Sequence, residues 1–583
     1  MTRNVRIGYR VAGISMAGAL FLAITVAHAS PGSGTRLVSD SISTACPAQP
    51  ALAVDTCGRI TAPGVPGGFL HDGFGRDVIM HGVNAVYKTY PFDFNPVAGN
   101  PNSLTASDAA QMASVGFDVV RLGIIWEGLE PGLTEDHAEP ATAADDNNRA
   151  ICTEGLVQGT GTAGPGGSAS QYSQSTLQAY LAQVKATVDL LASYGIYSLV
   201  DMHQDVYNAH FAGEGAPDWA VCTNGLPPTN TGNWSANYFT PAVGVAFDHF
   251  WDNDVVGGLQ QNYDAVWHQV ASTLARDPGV VGYDVFNEPF SSEIATVVGN
   301  AVFDAKLECF YTGTSNPGEQ SETHAPLVCP PTDPAIGAVP SIESGDPNHL
   351  VFYEPDVGND FGDANYVGPM PYPNLVLGFH DYCLASAGQA YFDFYSSPFC
   401  SEPEQLVMQQ ESAARSSAAT TYQPGGPAWF MSEFGAGEDT TDLTRVTALA
   451  NANLLGWTYW QWKQYGDPTG GSTEALVRTD GTIDPVKAAV IVQPYAQAVA
   501  GTPRSMSYDP STHDYSLTFT PDPTIAAPTV VFVPVNSFYD VYPSGYCATA
   551  SGATSTTAGD KVLVTSPTAP TVTLTIAPGS CPG

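Results

Sequence analysis

Eight times along this chain a short apolar run ends in polar, charged or aromatic residues, and helix-like sequence separates several of the repeats. The runs are VIMHGVNAV (78–86), DVVRLGIIW (118–126), IYSLVDMH (196–203), VVGYDVFNE (280–288), HLVFYE (349–354), LVLGFHDY (375–382), AWFMSEF (428–434) and LLGWTYW (454–460). Helical periodicity fills 104–115, 177–194 and 259–275. In the second of these Leu177, Leu181, Val184, Val188 and Leu191 form one stripe. Strands that are apolar throughout, rather than alternating, are buried on both faces, and their alternation with helices implies a parallel sheet. Eight such strands are the number that closes a (β/α)8 TIM barrel, an α/β fold. An open doubly wound sheet is the alternative, but no glycine-rich phosphate turn follows the first strand.

The pattern changes near Gly501. From there YSLTFT, TVVFVPV and TVTLTI alternate and are split by Pro, Gly, Asp and Ser, the mark of a small β-sandwich. The expected division is a signal peptide (1–29), a loose leader (30–66), a catalytic barrel (67–501) and a C-terminal β-sandwich (502–583).

The first of these segments sets the compartment. Arg3, Arg6 and Arg10 precede an apolar run over 11–26 and the small-residue site Ala27-His28-Ala29. This reads as a secretory signal cleaved after Ala29. An uncleaved anchor is the alternative, but its run is shorter than the ~20 residues that span a bilayer. No later segment is suited to stable membrane insertion. Ten cysteines, all beyond the signal, fit an exported protein. Their order suggests the pairs Cys46–Cys57, Cys152–Cys222, Cys309–Cys329, Cys383–Cys400 and Cys547–Cys581. No C-x-x-C or zinc-type Cys/His spacing occurs, so no metal and no other cofactor is expected. A net charge of −38 argues against nucleic acid and anionic membrane as partners. A monomer is expected.

In a barrel of this kind the reactive groups sit where strands end. Asn287 and Glu288 are the first polar residues after an apolar strand, and Pro289 stops it. Glu433 ends another strand in the same way. A Glu at a strand end is ordinarily a solvated surface group. Here, however, other strand ends carry Arg121, His203, His380 with Tyr382, and Trp460, all suited to binding sugar. Two carboxylic acids facing one cavity are what glycoside hydrolysis needs: one protonated to release the leaving oxygen, one ionised to attack the sugar carbon or activate water.

NEP after one apolar strand and EFG after another resemble the retaining glycosidases of the cellulase-type barrel, glycoside hydrolase family 5. The resemblance implies Glu288 as acid/base and Glu433 as nucleophile. It implies Asn287 on the sugar 2-hydroxyl, Tyr382 and Arg121 on Glu433, His380 beside them, and Trp460 as the floor under the sugar. A closer resemblance rests on GVNAVYK (82–88), RLGIIWEGLEP (121–131), DMHQDVY (201–207), GEGAPDWA (213–220), GLP (225–227) and PYAQAVAGTP (494–503). These are similar to the endoglycoceramidases, which release an intact oligosaccharide from ceramide. Lys88, His203, Asp205 and Trp234 match positions that in that family contact the first glucose. Segments 153–170 and 383–423 look inserted beside the cavity.

The substrate implied is a glycolipid or an oligosaccharide. An endo-β-glucanase or mannanase, a β-glucosidase on steryl or other lipid glucosides, and a catalytically silent binding protein stay open. A lipid substrate would lead one of the segments 206–219, 290–303 or 462–476 to turn apolar side chains toward the mouth.

Overall fold

The computed structural model describes residues 68–94, 103–130, 174–253, 258–292, 301–313, 329, 337–383, 400–471, 473–536, 538–565 and 569–581. The expected signal peptide and leader, Cys46, Cys57 and Cys152, and the segment 153–170 lie outside them.

Two short strands, β1 (Leu70–His71) and β2 (Asp77–Val78), pair as an antiparallel ribbon. The eight predicted runs then follow as β3 (His81–Ala85), β4 (Val119–Ile125), β5 (Tyr197–His203), β6 (Val280–Asp284), β7 (Leu350–Tyr353), β8 (Leu375–Asp381), β9 (Ala428–Phe434) and β10 (Gly456–Tyr459). They form a closed barrel in chain order, β10 pairing parallel with β3. Every residue of these strands is buried, which is why their sequences do not alternate. The three predicted helices are present at Ala106–Ser114, Gln174–Ala192 and Leu259–Leu274. The first opens with a capping box, in which Thr105 accepts from the Asp108 N–H and Asp108 accepts from the Thr105 N–H.

After the barrel come β11 (Tyr495–Val499), β12 (Gly501–Asp509), β13 (Asp514–Pro521), β14 (Thr529–Phe532), β15 (Tyr546–Ser551), β16 (Thr554–Ala558), β17 (Lys561–Thr565) and β18 (Val572–Pro578). They form two antiparallel sheets, β1-β2-β11-β14-β17-β16 and β12-β13-β18-β15. The sandwich therefore draws on strands outside 502–583, namely the N-terminal ribbon and β11. Composition could not show this, because β11 and β14 lack alternation: each is buried along its whole length. The reason is visible at adjacent residues. Val531 packs among Leu517, Phe519 and Leu574 of the four-stranded sheet. Val530 joins Val119, Leu199, Leu350 and Phe430 at the amino-terminal end of the barrel. One sheet is thus both the core of the sandwich and the floor of the barrel. His81 is stacked between Trp457 (4.1 Å) and Tyr495 (3.8 Å) at the same junction, and burial holds its pKa well below the ordinary imidazole value.

Three of the expected disulfides are present: Cys309–Cys329, Cys383–Cys400 and Cys547–Cys581. Cys222 is disulfide-bonded too. Among the described residues, no helix is long and apolar enough to cross a membrane.

The ribbon turn is held by a buried ion pair. Arg76 donates from Nε and Nη2 to Asp72 Oδ2, both at 2.8 Å, and from Nη1 to the Pro528 carbonyl at 2.8 Å. Replacing Arg76 with Ala strands a buried carboxylate and should cost about 3–5 kcal/mol. Urea unfolding of Arg76→Ala, Asp72→Ala and the double variant should show the double losing clearly less than the sum of the singles.

Candidate active site

The carboxyl-terminal ends of the barrel strands converge on one guanidinium. Arg121, in β4, is fully buried. Its Nε donates to Asp284 Oδ2 (2.8 Å), and Nη1 to Glu433 Oε1 (2.5 Å) and Asn84 Oδ1 (3.3 Å). Nη2 donates to Asn287 Oδ1 (2.9 Å) and Glu354 Oε1 (2.9 Å) and lies 3.0 Å from Asp201 Oδ1. Only arginine carries enough N–H groups in one plane to reach that many acceptors. Burial alone would drive the proton off; Asp201, Asp284, Glu354 and Glu433 outweigh it, so Arg121 stays charged.

The two predicted acids stand on either side of His380. Glu433 receives Arg121 on one oxygen and the Tyr382 hydroxyl on the other (2.9 Å). Burial raises its pKa; His380 and Arg121 oppose the rise. Glu288 Oε1 lies 3.0 Å from His380 Nδ1, and Glu433 Oε2 lies 3.7 Å from the same nitrogen. Glu288, His380 and Glu433 each bring one donor or acceptor atom within 4.8 Å of the other two. A register shift between Phe379 and His380 places His380 opposite Glu433. Such irregularities are a means of re-aiming a side chain.

The approach to Glu288 differs from the sequence expectation. The strand expected to run over 280–286 stops at Asp284. Beyond it the Val285 N–H still donates to the Phe352 carbonyl (3.0 Å) and the Asn287 N–H to the Met202 carbonyl (3.1 Å), and side chains add further bonds. Gln204 Nε2 donates to the carbonyls of Asn287 (3.0 Å) and Glu288 (3.1 Å), and Asn287 Nδ2 donates to the Gln204 carbonyl (3.0 Å). Glu288 itself has φ +45°, in the left-handed region.

Four more of the predicted residues form a second group beside the acids. Trp460 stacks on His203 (5.3 Å, 13° between planes), and Lys88 Nζ sits 4.4 Å above the Trp460 ring. Lys88 also pairs with Asp205 and donates to Thr469 Oγ1 (2.8 Å), with Asp467 at 3.3 Å. Trp460 Nε1 donates to Glu474 Oε2 (3.0 Å). Burial pushes the Glu474 carboxyl up to about 7, with Asp467 adding to the rise. Trp234 stands apart from these groups. Its ring contact is with Tyr238 at 6.5 Å, and it reaches the acids only through Tyr238 and Gln204.

Sequence reasoning passed over Asp201, Gln204, Asp284, Glu354 and Asp360. Glu354 had a signal, since HLVFYE ends in Glu as VVGYDVFNE does. Asp201 lies two residues before His203 and so shares its face of β5. Asp467 and Glu474 sit in a loop with no periodic signal. Of the segments expected to open toward a lipid, most of 290–303 lies outside the described residues, and in the other two the large apolar residues mostly face inward. Val206, Tyr207, Phe211, Trp462, Tyr465 and Leu476 are all buried. The large apolar groups left exposed nearby are Leu226 and Phe239, and Phe239 packs edge-on against Phe290 (5.9 Å).

His203, Asp205 and Glu214 could present ligand atoms to a metal, as could Glu288, His380 and Glu433. In each trio an internal cation, Lys88 or Arg121, already neutralises carboxylate charge.

His203 gives a pH test. Burial would lower its pKa, but Asp201, 2.8 Å from Nδ1, and Asp205, 3.8 Å from Nε2, overcome both burial and the nearby Lys88, and the value rises to about 9. A pKa raised from ~6.5 in the unfolded chain adds stability that is full below about pH 6.5 and lost as pH rises through about 9. The stability gap between the protein and His203→Gln, measured by urea unfolding, should shrink by roughly 3 kcal/mol between about pH 6 and pH 10.

The family "Cellulase (glycosyl hydrolase family 5)" matches residues 75–466, and the glycoside hydrolase family 5 C-terminal domain matches 493–576. The endoglycoceramidase of Hydra vulgaris is 26% identical over 508 residues, covering 82% of this chain and 80% of its own. Endoglycoceramidase I of Rhodococcus hoagii (strain 103S) is 26% identical over 516 residues, covering 87% and 86%. Endo-glycoceramidase II from Rhodococcus sp., solved in complex with ganglioside GM3, shares the fold. Its TM-score is 0.62 at 23% identity, over 88% of this chain and 99% of that one.

Proposed function

We propose that this chain, which belongs to glycosyl hydrolase family 5, is a secreted, monomeric, retaining endo-β-glycosidase that cuts between the oligosaccharide and ceramide of glycosphingolipids. The observation that carries the catalytic part is the trio Glu288, His380 and Glu433, with interacting atoms within 4.8 Å. Carboxyl groups about 5–5.5 Å apart leave no room for a water between them and sugar, which favours direct attack by one of them. Glu433 takes that role, because Arg121 and Tyr382 both donate to it and so favour its ionised form. Glu288 gives its proton to the glycosidic oxygen. The C–O bond breaks with its electron pair left on that oxygen, while Glu433 forms the new bond to the anomeric carbon. In the second half Glu288 takes a proton from water while the water oxygen bonds to the anomeric carbon, and the bond to Glu433 breaks with its electron pair left on the carboxylate.

The remaining residues hold the sugar. Asn287 would bind the 2-hydroxyl, and Trp460 would form the floor. Lys88, His203 and Asp205 would grip the first glucose, with Trp234 at the edge of that subsite. The ceramide part of the reading is supported by the endoglycoceramidase relatives, matched over most of both chains. Phe239 adds support, since it carries apolar surface outward from Phe290, two residues past Glu288. The disulfides support export.

Incubation with gangliosides, glucosylceramide and soluble glucans, with products weighed by mass spectrometry, tests the substrate. Intact oligosaccharide plus ceramide is expected. Cleavage of glucan with glycolipid untouched would replace the ceramide reading by a polysaccharide one.

The roles of the acids are tested separately. Glu433→Gln should abolish turnover on every substrate. Glu288→Gln should lose about 10²–10⁴-fold on natural glycosides, yet form the glycosyl-enzyme nearly normally from a dinitrophenyl glycoside. Equal loss on both would contradict the acid role.

A further inference from the structure

Glu354, the residue after β7, joins Arg121 and His380 to the backbone of Glu288. Its Oε1 accepts from Arg121 Nη2 (2.9 Å), faces His380 Nε2 (3.0 Å), and accepts from the Ser432 hydroxyl at 3.4 Å. Its Oε2 accepts the backbone N–H of Glu288 (2.9 Å). Its own backbone is pinned by Tyr311, whose hydroxyl donates to the Glu354 carbonyl (2.6 Å) and accepts from the Glu354 N–H (3.2 Å). The side chain is buried.

We propose that Glu354 is a positioning residue that fixes where the carboxyl of Glu288 points and which nitrogen of His380 faces it. This rests on the reading of Glu288 as acid/base.

Two contacts carry the argument. The first is to the backbone. Glu288 adopts φ +45°, a conformation a non-glycine residue keeps only where its surroundings impose it. Glu354 holds the N–H of Glu288 from one side, and Gln204 holds its carbonyl from the other. The second contact is to the imidazole. A carboxylate at Nε2 keeps a proton on that nitrogen, so Nδ1 is the atom turned to Glu288. The proton between Nδ1 and Oε1 is then shared by the pair, and the proton that Glu288 gives to the glycosidic oxygen is a second one, carried on its other oxygen. When Glu288 has given up its proton, the imidazolium Nδ1–H steadies the carboxylate that must next act as base.

The charges around the pair set the sign of the effect. His380 faces Glu288, Glu354, Asp360 (3.6 Å) and Glu433. Glu354 faces Arg121 and His380, and Asp284 lies close enough to feel its charge. Burial opposes a charge on His380, but Glu354, Glu433 and Asp360 outweigh it and hold its pKa well above the ordinary value. Removing the Glu354 charge removes an anion next to the shared proton, so that proton must leave at lower pH.

The test compares the wild type with Glu354→Gln on two β-lactosides, one with a dinitrophenyl and one with an alkyl leaving group. Histidine-labelled protein is titrated by NMR in parallel, without substrate. We expect Glu354→Gln to lose about 10²-fold on the alkyl glycoside and tenfold or less in glycosyl-enzyme formation from the activated one. The basic limb of kcat/KM and the His380 titration should both move down by about one pH unit or more. Equal losses on both substrates with an unmoved His380 titration would reduce Glu354 to a packing residue and overturn the proposal. If Glu354→Gln does not fold, Glu354→Asp takes its place. It keeps the charge but draws it back from one of its donors. Loss confined to the alkyl glycoside supports the proposal, and uniform loss overturns it. Both readouts need only soluble lactosides, so failure to cleave glycolipid would sink the ceramide reading and leave this one standing.

Discussion

The structure depends on burying one guanidinium. An arginine at the centre of a barrel, out of reach of water, is tolerable only if anions surround it. Strands β5, β6, β7 and β9 supply them as Asp201, Asp284, Glu354 and Glu433. Those anions repel one another and need the same cation. Neither side of the arrangement is stable without the other. Glu433, the proposed nucleophile, is thus part of the charge balance that lets this end of the barrel exist. The acids still exceed the bases, and the imbalance appears where it is least satisfied: burial and neighbouring carboxylates push Asp284 and Asp360 well above the ordinary carboxylate range.

Much of this was legible in the chain. Unalternating runs such as LVLGFHDY and AWFMSEF could only be strands covered on both faces, and eight of them close a ring. Glu288 and Glu433 were legible because each ends such a run. Glu354 obeyed the same rule and was passed over, since nothing in one sequence distinguishes a carboxylate that reacts from one that holds another in place. The limits of the sandwich were less legible. YAQAV in β11 reads as barrel-like because it is covered on both sides, and it is the partner of DV in the N-terminal ribbon, more than four hundred residues away. Loop residues such as Asp467, which faces Lys88, carry no periodicity at all.

The loops over the mouth correct a simpler expectation. Their aromatic and aliphatic residues mostly pack down onto the barrel, where Tyr207, Phe247 and Phe250 form a continuous aromatic cluster. That packing stiffens the platform under Gln204, whose side chain must hold two consecutive carbonyls in place. Among the described residues of these loops, Phe239 is one that keeps its apolar surface outward, packed edge-on against Phe290.

The shared floor sheet also fixes a direction. Leu70 pairs within it, and the last described strand closes the sheet stacked beneath it. Both described ends of the chain are therefore moored on the side opposite the catalytic mouth. A tether fused just before Gly68 or after Cys581 would therefore start from the face of the barrel away from its open end.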